Sequence, residues 1–98
     1  MFDNLPFTLS SLRSAYADGA SPVAVVEEVY RRIAEVDDPG IFIHLFDKSE
    51  VLAAAAALEG LDRALPLWGV PFAIKDNIDV AGHPTTAACP AFAYVADE

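Results

Sequence analysis

One lysine ends an apolar run in this chain. Val70-Pro71-Phe72-Ala73-Ile74 gives way abruptly to Lys75-Asp76-Asn77, a second apolar piece, Ile78-Asp79-Val80, follows, and a turn with Gly82, Pro84, Thr85 and Thr86 comes next. A lysine at the mouth of a buried strand is costly unless something uses it, because lysines are almost never fully buried. Burial disfavours the ammonium form and can lower its pKa by several units, which is how a lysine becomes a base near neutral pH. The triplet by itself does not demand this. Lys-Asp-Asn after a strand is ordinarily a solvated turn in which the short polar side chains bond local backbone.

The longer stretch carries more. Gly69-Val70-Pro71-Phe72-Ala73-Ile74-Lys75-Asp76-Asn77-Ile78-Asp79-Val80-Ala81-Gly82, followed by Thr85-Thr86, resembles the lysine-bearing motif of the amidase signature family. The continuation Ala87-Ala88-Cys89-Pro90-Ala91-Phe92-Ala93-Tyr94 looks most like the allophanate hydrolase branch of that family. The resemblance implies an amide-bond hydrolase with a Ser–cis-Ser–Lys triad in which Lys75 is the lysine. It implies no metal and no organic cofactor, and a fold built on a large mixed sheet between helices. A homo-oligomer is left open. The family's Gly/Ser-rich segment, which holds the nucleophilic serine and the cis-serine, has no counterpart here. The serines are Ser10, Ser11, Ser14, Ser21 and Ser49, all upstream of Lys75 and none in a Gly-Ser cluster. The expectation is therefore the N-terminal piece of a longer enzyme, residues 1–98 forming part of a single amidase domain, with one triad member of three and no activity in isolation. Its partners would be the remainder of that domain and a small amide substrate.

The chemistry explains why such a site wants this lysine. An amide has a poor electrophile and a poor leaving group, so a serine nucleophile needs a base and the departing nitrogen an acid. Ser-Lys arrangements supply both without histidine. The lysine has to be neutral when it receives the proton, and Val70, Phe72 and Ile74 are the apolar neighbours expected to desolvate it. A carboxylate close by would favour the ammonium, so Asp76 is expected to turn away into loop hydrogen bonds. Thr85 and Thr86 are candidates to line the pocket, although turn hydroxyls most often bond their own loop. Cys89 has nothing basic beside it in sequence and reads as a small buried hydrophobe. Trp68 and Tyr94 suit core packing. His44 has only His83 as a histidine companion, and no spacing of His, Cys and carboxylates resembles a metal site, so it reads as structural.

Composition narrows the classes. The chain has 98 residues, 54% of them apolar, with one cysteine and a formal net charge of −9 from six Lys+Arg against fifteen Asp+Glu. Phosphate neutralisation needs a basic patch, and none is present, which argues against nucleic acid. No apolar run approaches the roughly 18 residues of a membrane span. The start, Met1-Phe2-Asp3-Asn4, lacks a signal peptide's basic and apolar regions. One cysteine forms no internal disulfide and fits a reducing compartment, so the cytoplasm is expected. An apolar content this high, in a chain too short to bury much of it, suggests surface meant to lie against more protein.

The elements that would position Lys75 read as follows. Residues 1–7 form an arm. Thr8 caps a first helix, about 8–18, with Leu9, Leu12 and Tyr16 on one face and Gly19 as its stop. Ser21-Pro22 opens a second helix, about 22–37, with the stripe Val26, Val29, Tyr30, Ile33 and Val36. On its solvated face Glu27–Arg31 and Glu28–Arg32 are pairs four apart. Ile41–Phe46, apolar on both faces, is expected to be an internal strand. Asp47 and Glu50 fit a capping box for an alanine-rich helix, about 48–64, whose regular part Gly60 interrupts. Further strands are expected at 70–74 and 78–80. The order suits an α/β sheet flanked by helices, incomplete in this chain.

Two alternatives to the allophanate hydrolase reading stay open. One is another member of the same family, such as a glutamyl-tRNA amidotransferase A subunit. The other is a non-catalytic module that binds a partner through exposed apolar surface.

Overall fold

The computed structural model describes residue 2 and residues 4–98. They fall into two compact units, Met1–Asp37 with Phe46–Pro71, and Asp38–Leu45 with Phe72–Glu98. Of the expected arm, Met1 and Asp3 lie outside the described residues.

The first unit is helical: α1 (Leu9–Ala17), α2 (Pro22–Val36) and α3 (Lys48–Ala57), the last followed by a 3₁₀ turn at Leu58–Gly60. Local chemistry fixes each end. The Thr8 hydroxyl accepts from the Ser11 amide at 3.1 Å. At the far end Gly19 sits at φ +103°, its N–H bonds the Tyr16 carbonyl at 3.1 Å and the Ala20 N–H reaches back to Ala15 at 3.0 Å. That crossed pair is the left-handed glycine stop that satisfies two otherwise orphaned carbonyls. The Ser21 hydroxyl accepts from the Ala24 amide at 3.1 Å and Pro22 fills the first turn of α2, where a missing N–H costs nothing. The helix closes at Asp37 in the left-handed conformation, φ 50°, with its N–H on Ile33. α3 packs against α2.

Asp47 occupies the N-cap of α3, but the expected capping box does not form. Its side chain makes no cap bond, because the Glu50 amide already bonds the Asp47 backbone carbonyl at 3.0 Å. The α-helical part also ends earlier than 64. After the 3₁₀ turn the chain is extended at Leu61, and short turns carry it through residues 62–70.

Those turns deliver Trp68 to the helices. Leu12, Tyr16, Val25 and Trp68 form the core of this unit, with Leu5, Ala20, Leu58 and Val70 packed around it. Tyr16 and Trp68 meet edge to face with centroids 5.2 Å apart. Each polar tip is satisfied: the Tyr16 hydroxyl donates to the Gly69 carbonyl at 2.5 Å and the Trp68 Nε1–H to Leu58 at 3.0 Å. Gly69 has φ +75°, and a Cβ there would lie 2.7 Å from the Tyr16 ring, so only glycine fits. Arg63 stacks over Trp68 at 4.6 Å and donates to the Tyr16 carbonyl.

The charged face of α2 does more than expected. Glu28 is 6% exposed and receives both Arg31, at 2.7 Å, and Arg32, at 2.6 Å, while Arg31 also bonds Glu35 at 2.6 Å. Arg31 thus bonds Glu28 and Glu35, three and four residues away, and Arg32 takes Glu28 as expected. Arg32 extends further, donating to the Phe2 and Leu5 carbonyls at 2.8 and 2.7 Å and covering the Phe7 ring at 4.1 Å. An acid on a helix thus holds the guanidinium that binds the Phe2 and Leu5 carbonyls.

The second unit contains one two-stranded antiparallel sheet, β1 (Pro84–Thr85) and β2 (Tyr94–Val95), with Pro84 opposite Val95 and Thr85 opposite Tyr94. The segments 41–46, 70–74 and 78–80, expected as strands of a mixed sheet, are not strands. A strand needs a neighbour for its backbone N–H and C=O groups and apolar layers for its faces. Among the described residues neither is supplied to these segments: Ile41 is 55% exposed, Ile43 60%, Phe72 80% and Ile78 57%.

Candidate active site

Lys75 is the first residue of a turn closed by the Ile78 N–H on the Lys75 carbonyl at 3.0 Å. The turn is tied down through its second residue. The Asp76 carboxylate accepts from the Thr86 amide at 3.3 Å and from the Thr86 hydroxyl, and the Asp76 carbonyl accepts from the Ala87 N–H at 3.1 Å. The Thr86 hydroxyl in turn accepts from the Ala88 amide at 3.1 Å. Asp76 therefore faces the Thr86–Ala88 turn, turned into loop hydrogen bonds as expected.

A second carboxylate of the same loop is held in the same manner. Asp79 Oδ1 accepts from the Thr85 hydroxyl at 2.8 Å and from the Tyr94 hydroxyl at 2.6 Å. The bond from Tyr94, then that from Thr85, holds the Asp79 carboxyl below its usual range, and the same carboxylate pushes the Tyr94 phenol up. The strand pairing explains the meeting. Thr85 and Tyr94 are opposite each other across the β1–β2 ladder, so one carboxylate bridges both. Thr85 is 2% exposed and its hydroxyl is committed to Asp79, an anchor within the loop. Sequence reading assigned Tyr94 to core packing and missed this three-residue cluster. Its signal was faint: a hydroxyl residue six positions after Asp79 and a phenol fifteen positions after it.

Lys75 itself is exposed. The expected desolvating set is not assembled around it within its unit, since Phe72 and Ile74 are 80% and 40% exposed and Val70 belongs to the first unit. The reason is that of the absent strand: without a paired neighbour, Phe72 and Ile74 have no layer to enter. Cys89 is exposed, not buried as expected, because it follows two residues, Ala87 and Ala88, held at φ 51° and 61° in a turn. Trp68 lies in the core of the helical unit. His44 and His83 face each other with Nε2 3.0 Å from Nδ1, a hydrogen bond that requires one ring to donate and the other to accept. Among the described residues no group of three or more His, Cys, Asp or Glu is placed to hold a metal ion. No helix among them is long and apolar enough to cross a membrane.

Known proteins share much of this sequence. The chain is 48% identical over 66 residues to the urea amidolyase of Saccharomyces cerevisiae, an alignment covering 65% of this chain and 4% of that protein. It is 77% identical over 30 residues to the urea amidolyase of Lachancea kluyveri, 31% of this chain and 2% of the relative. It is 50% identical over 68 residues to the glutamyl-tRNA(Gln) amidotransferase A subunit of Methylacidiphilum infernorum, 69% of this chain and 13% of the relative. The chain thus spans only a small part of the length of each. The sequence model of the family described as Amidase matches residues 24–98, from α2 through the Lys75 turn and the β1–β2 pair to Glu98, and the chain belongs to that family.

Proposed function

We propose that this chain is the N-terminal segment of an amidase domain that hydrolyses allophanate to ammonia and carbon dioxide, with Lys75 as the proton acceptor of a Ser–cis-Ser–Lys triad. In this reading a downstream serine attacks the amide carbonyl, its proton passes through the cis-serine to the Lys75 amine, and the protonated lysine returns a proton to the departing nitrogen. Water then releases the acyl group. A cytoplasmic setting and the absence of a cofactor belong to the same proposal.

The observation that carries this reading is the family match running through the Lys75 turn. Identity to two urea amidolyases supports the allophanate branch, as does the Ala87–Tyr94 tail. The 50% identity to an amidotransferase A subunit favours a second reading within the family, an amidase domain acting in tRNA-dependent amide transfer.

The test uses the full-length protein. Lys75→Ala should lower allophanate-dependent ammonia release by orders of magnitude while the protein stays folded by circular dichroism, since one member of a triad is lost as part of a unit. Lys75→Arg should not rescue it, because a guanidinium stays charged. The 98-residue segment alone should release no ammonia. Near-normal turnover by Lys75→Ala would remove the lysine from the mechanism. Turnover of glutamine-derived amide by the wild type, with none of allophanate, would select the second reading.

A further inference from the structure

We propose that Thr86 is a positioning residue for Lys75: it binds the carboxylate of Asp76, the acid next to Lys75 in sequence, and so keeps that charge off the amine. The inference rests on the reading of Lys75 as proton acceptor and extends it to a residue outside the triad.

The charge balance of the unit makes the problem acute. In Asp38–Leu45 and Phe72–Glu98, Lys75 is the sole Lys or Arg, and it shares the unit with Asp38, Asp76, Asp79, Asp97 and Glu98. A carboxylate within reach of an amine favours the ammonium and moves the pKa by about 1–3 units. An ammonium cannot accept the serine proton. Asp76 is the acidic residue adjacent to Lys75 in sequence.

The geometry removes it. Thr86 presents two donors to Asp76, its amide at 3.3 Å and its hydroxyl, and the hydroxyl is itself oriented by accepting from the Ala88 amide at 3.1 Å. A threonine hydroxyl has one proton, and the bond from Ala88 leaves that proton for the carboxylate. The backbone repeats the tie, Asp76 carbonyl to Ala87 N–H. The other carboxylate of the loop, Asp79, is engaged by Thr85 and Tyr94. The remaining titratable groups of the unit are His83 before β1, Cys89 after it, Asp97 and Glu98 after β2, Asp38, and His44, whose ring bonds His83. Two adjacent threonines thus take one loop carboxylate each.

The experiment is the pH dependence of kcat/KM for allophanate in the full-length enzyme. In Thr86→Val the freed Asp76 turns to Lys75, and the acid limb, which reports the neutral amine, moves to higher pH by about 1 unit. Thr86→Ser keeps the hydroxyl and keeps the limb in place. In Thr86→Val/Asp76→Asn the charge is gone and the limb returns to its wild-type position. Asp76→Asn alone, which avoids disturbing Thr86, leaves the limb unmoved because that charge is already sequestered. A limb unmoved in Thr86→Val, or moved to lower pH in Asp76→Asn, overturns the inference. Lys75→Ala separates the two levels: if it is inactive while Thr86→Val shows no shift, the positioning role falls and the reading of Lys75 stands.

Discussion

Glu28 shows how much one residue can organise. Hydrogen bonds from Arg31 lower its carboxyl pKa to about 2 from 4.5, burial opposes the shift, and Arg32 adds to it. A folded pKa below the unfolded one means the stabilisation is fully present above pH 4.5 and is lost as pH falls towards 2. Glu28→Gln should therefore lower the thermal midpoint at neutral pH and progressively less on acidification, until the two proteins melt together near the bottom of that window. A constant gap across it would mean that the charge of Glu28 is not what Arg31 and Arg32 recognise. Helical spacing made the pairing with Arg32 legible, but not the reach of Arg32 to the Phe2 and Leu5 carbonyls, which are 30 and 27 residues away in sequence. Lys75 is the opposite case. Its motif was legible from the residues around it, whereas the Asp79–Thr85–Tyr94 cluster in the same loop depends on the β1–β2 register, which no local pattern announces.

At the level of elements, the two caps invite a direct comparison. Ser21 and Asp47 both hold N-cap positions, yet only Ser21 uses its side chain. Ser21→Ala should cost about 1 kcal/mol by urea unfolding. Asp47→Ala should cost less than about 0.5 kcal/mol, the residual attraction of a charge to the helix dipole. Equal losses would show that the Asp47 carboxylate caps α3 after all. The helices were legible because their determinants are local: a hydroxyl, a proline, a glycine and a stripe every three to four residues all lie within one segment. The strands were not, and the failure is instructive. Ile41–Phe46 and Val70–Ile74 carry the apolar character of internal strands, but a strand exists only when a second segment completes its hydrogen bonds. The residues that do pair, Pro84–Thr85 with Tyr94–Val95, look like turn and tail in sequence. Composition describes what a segment would bury, and pairing depends on who is beside it.

For the whole molecule, the balance lies between apolar exposure and charge. Fifteen large apolar side chains of the described residues are exposed, among them Leu67 at 66% and Phe72 at 80%. Against this stands a net charge of −9, which keeps copies apart at low salt. If the uncovered faces belong against the rest of an amidase domain, the isolated 98 residues should bind an apolar fluorescent dye far more strongly, mole for mole, than the full-length protein does. The same faces should drive self-association once the repulsion is screened. The Debye length falls from about 10 Å at 0.1 M salt to about 3 Å at 1 M, so sedimentation of the segment should show monomer at low salt and larger species at high salt. An interface of stable size buries about 800 Å² per partner, and side chains such as Ile41, Ile43, Phe72 and Ile78 are the ones available to contribute. Substituting Phe72→Ser and Ile43→Ser in the segment should weaken both dye binding and association, since each removes apolar surface without changing charge. A segment that stays monomeric at high salt and binds no more dye than the full-length protein would show that these faces are not built to be covered, and would favour a self-sufficient module over a piece of a larger sheet.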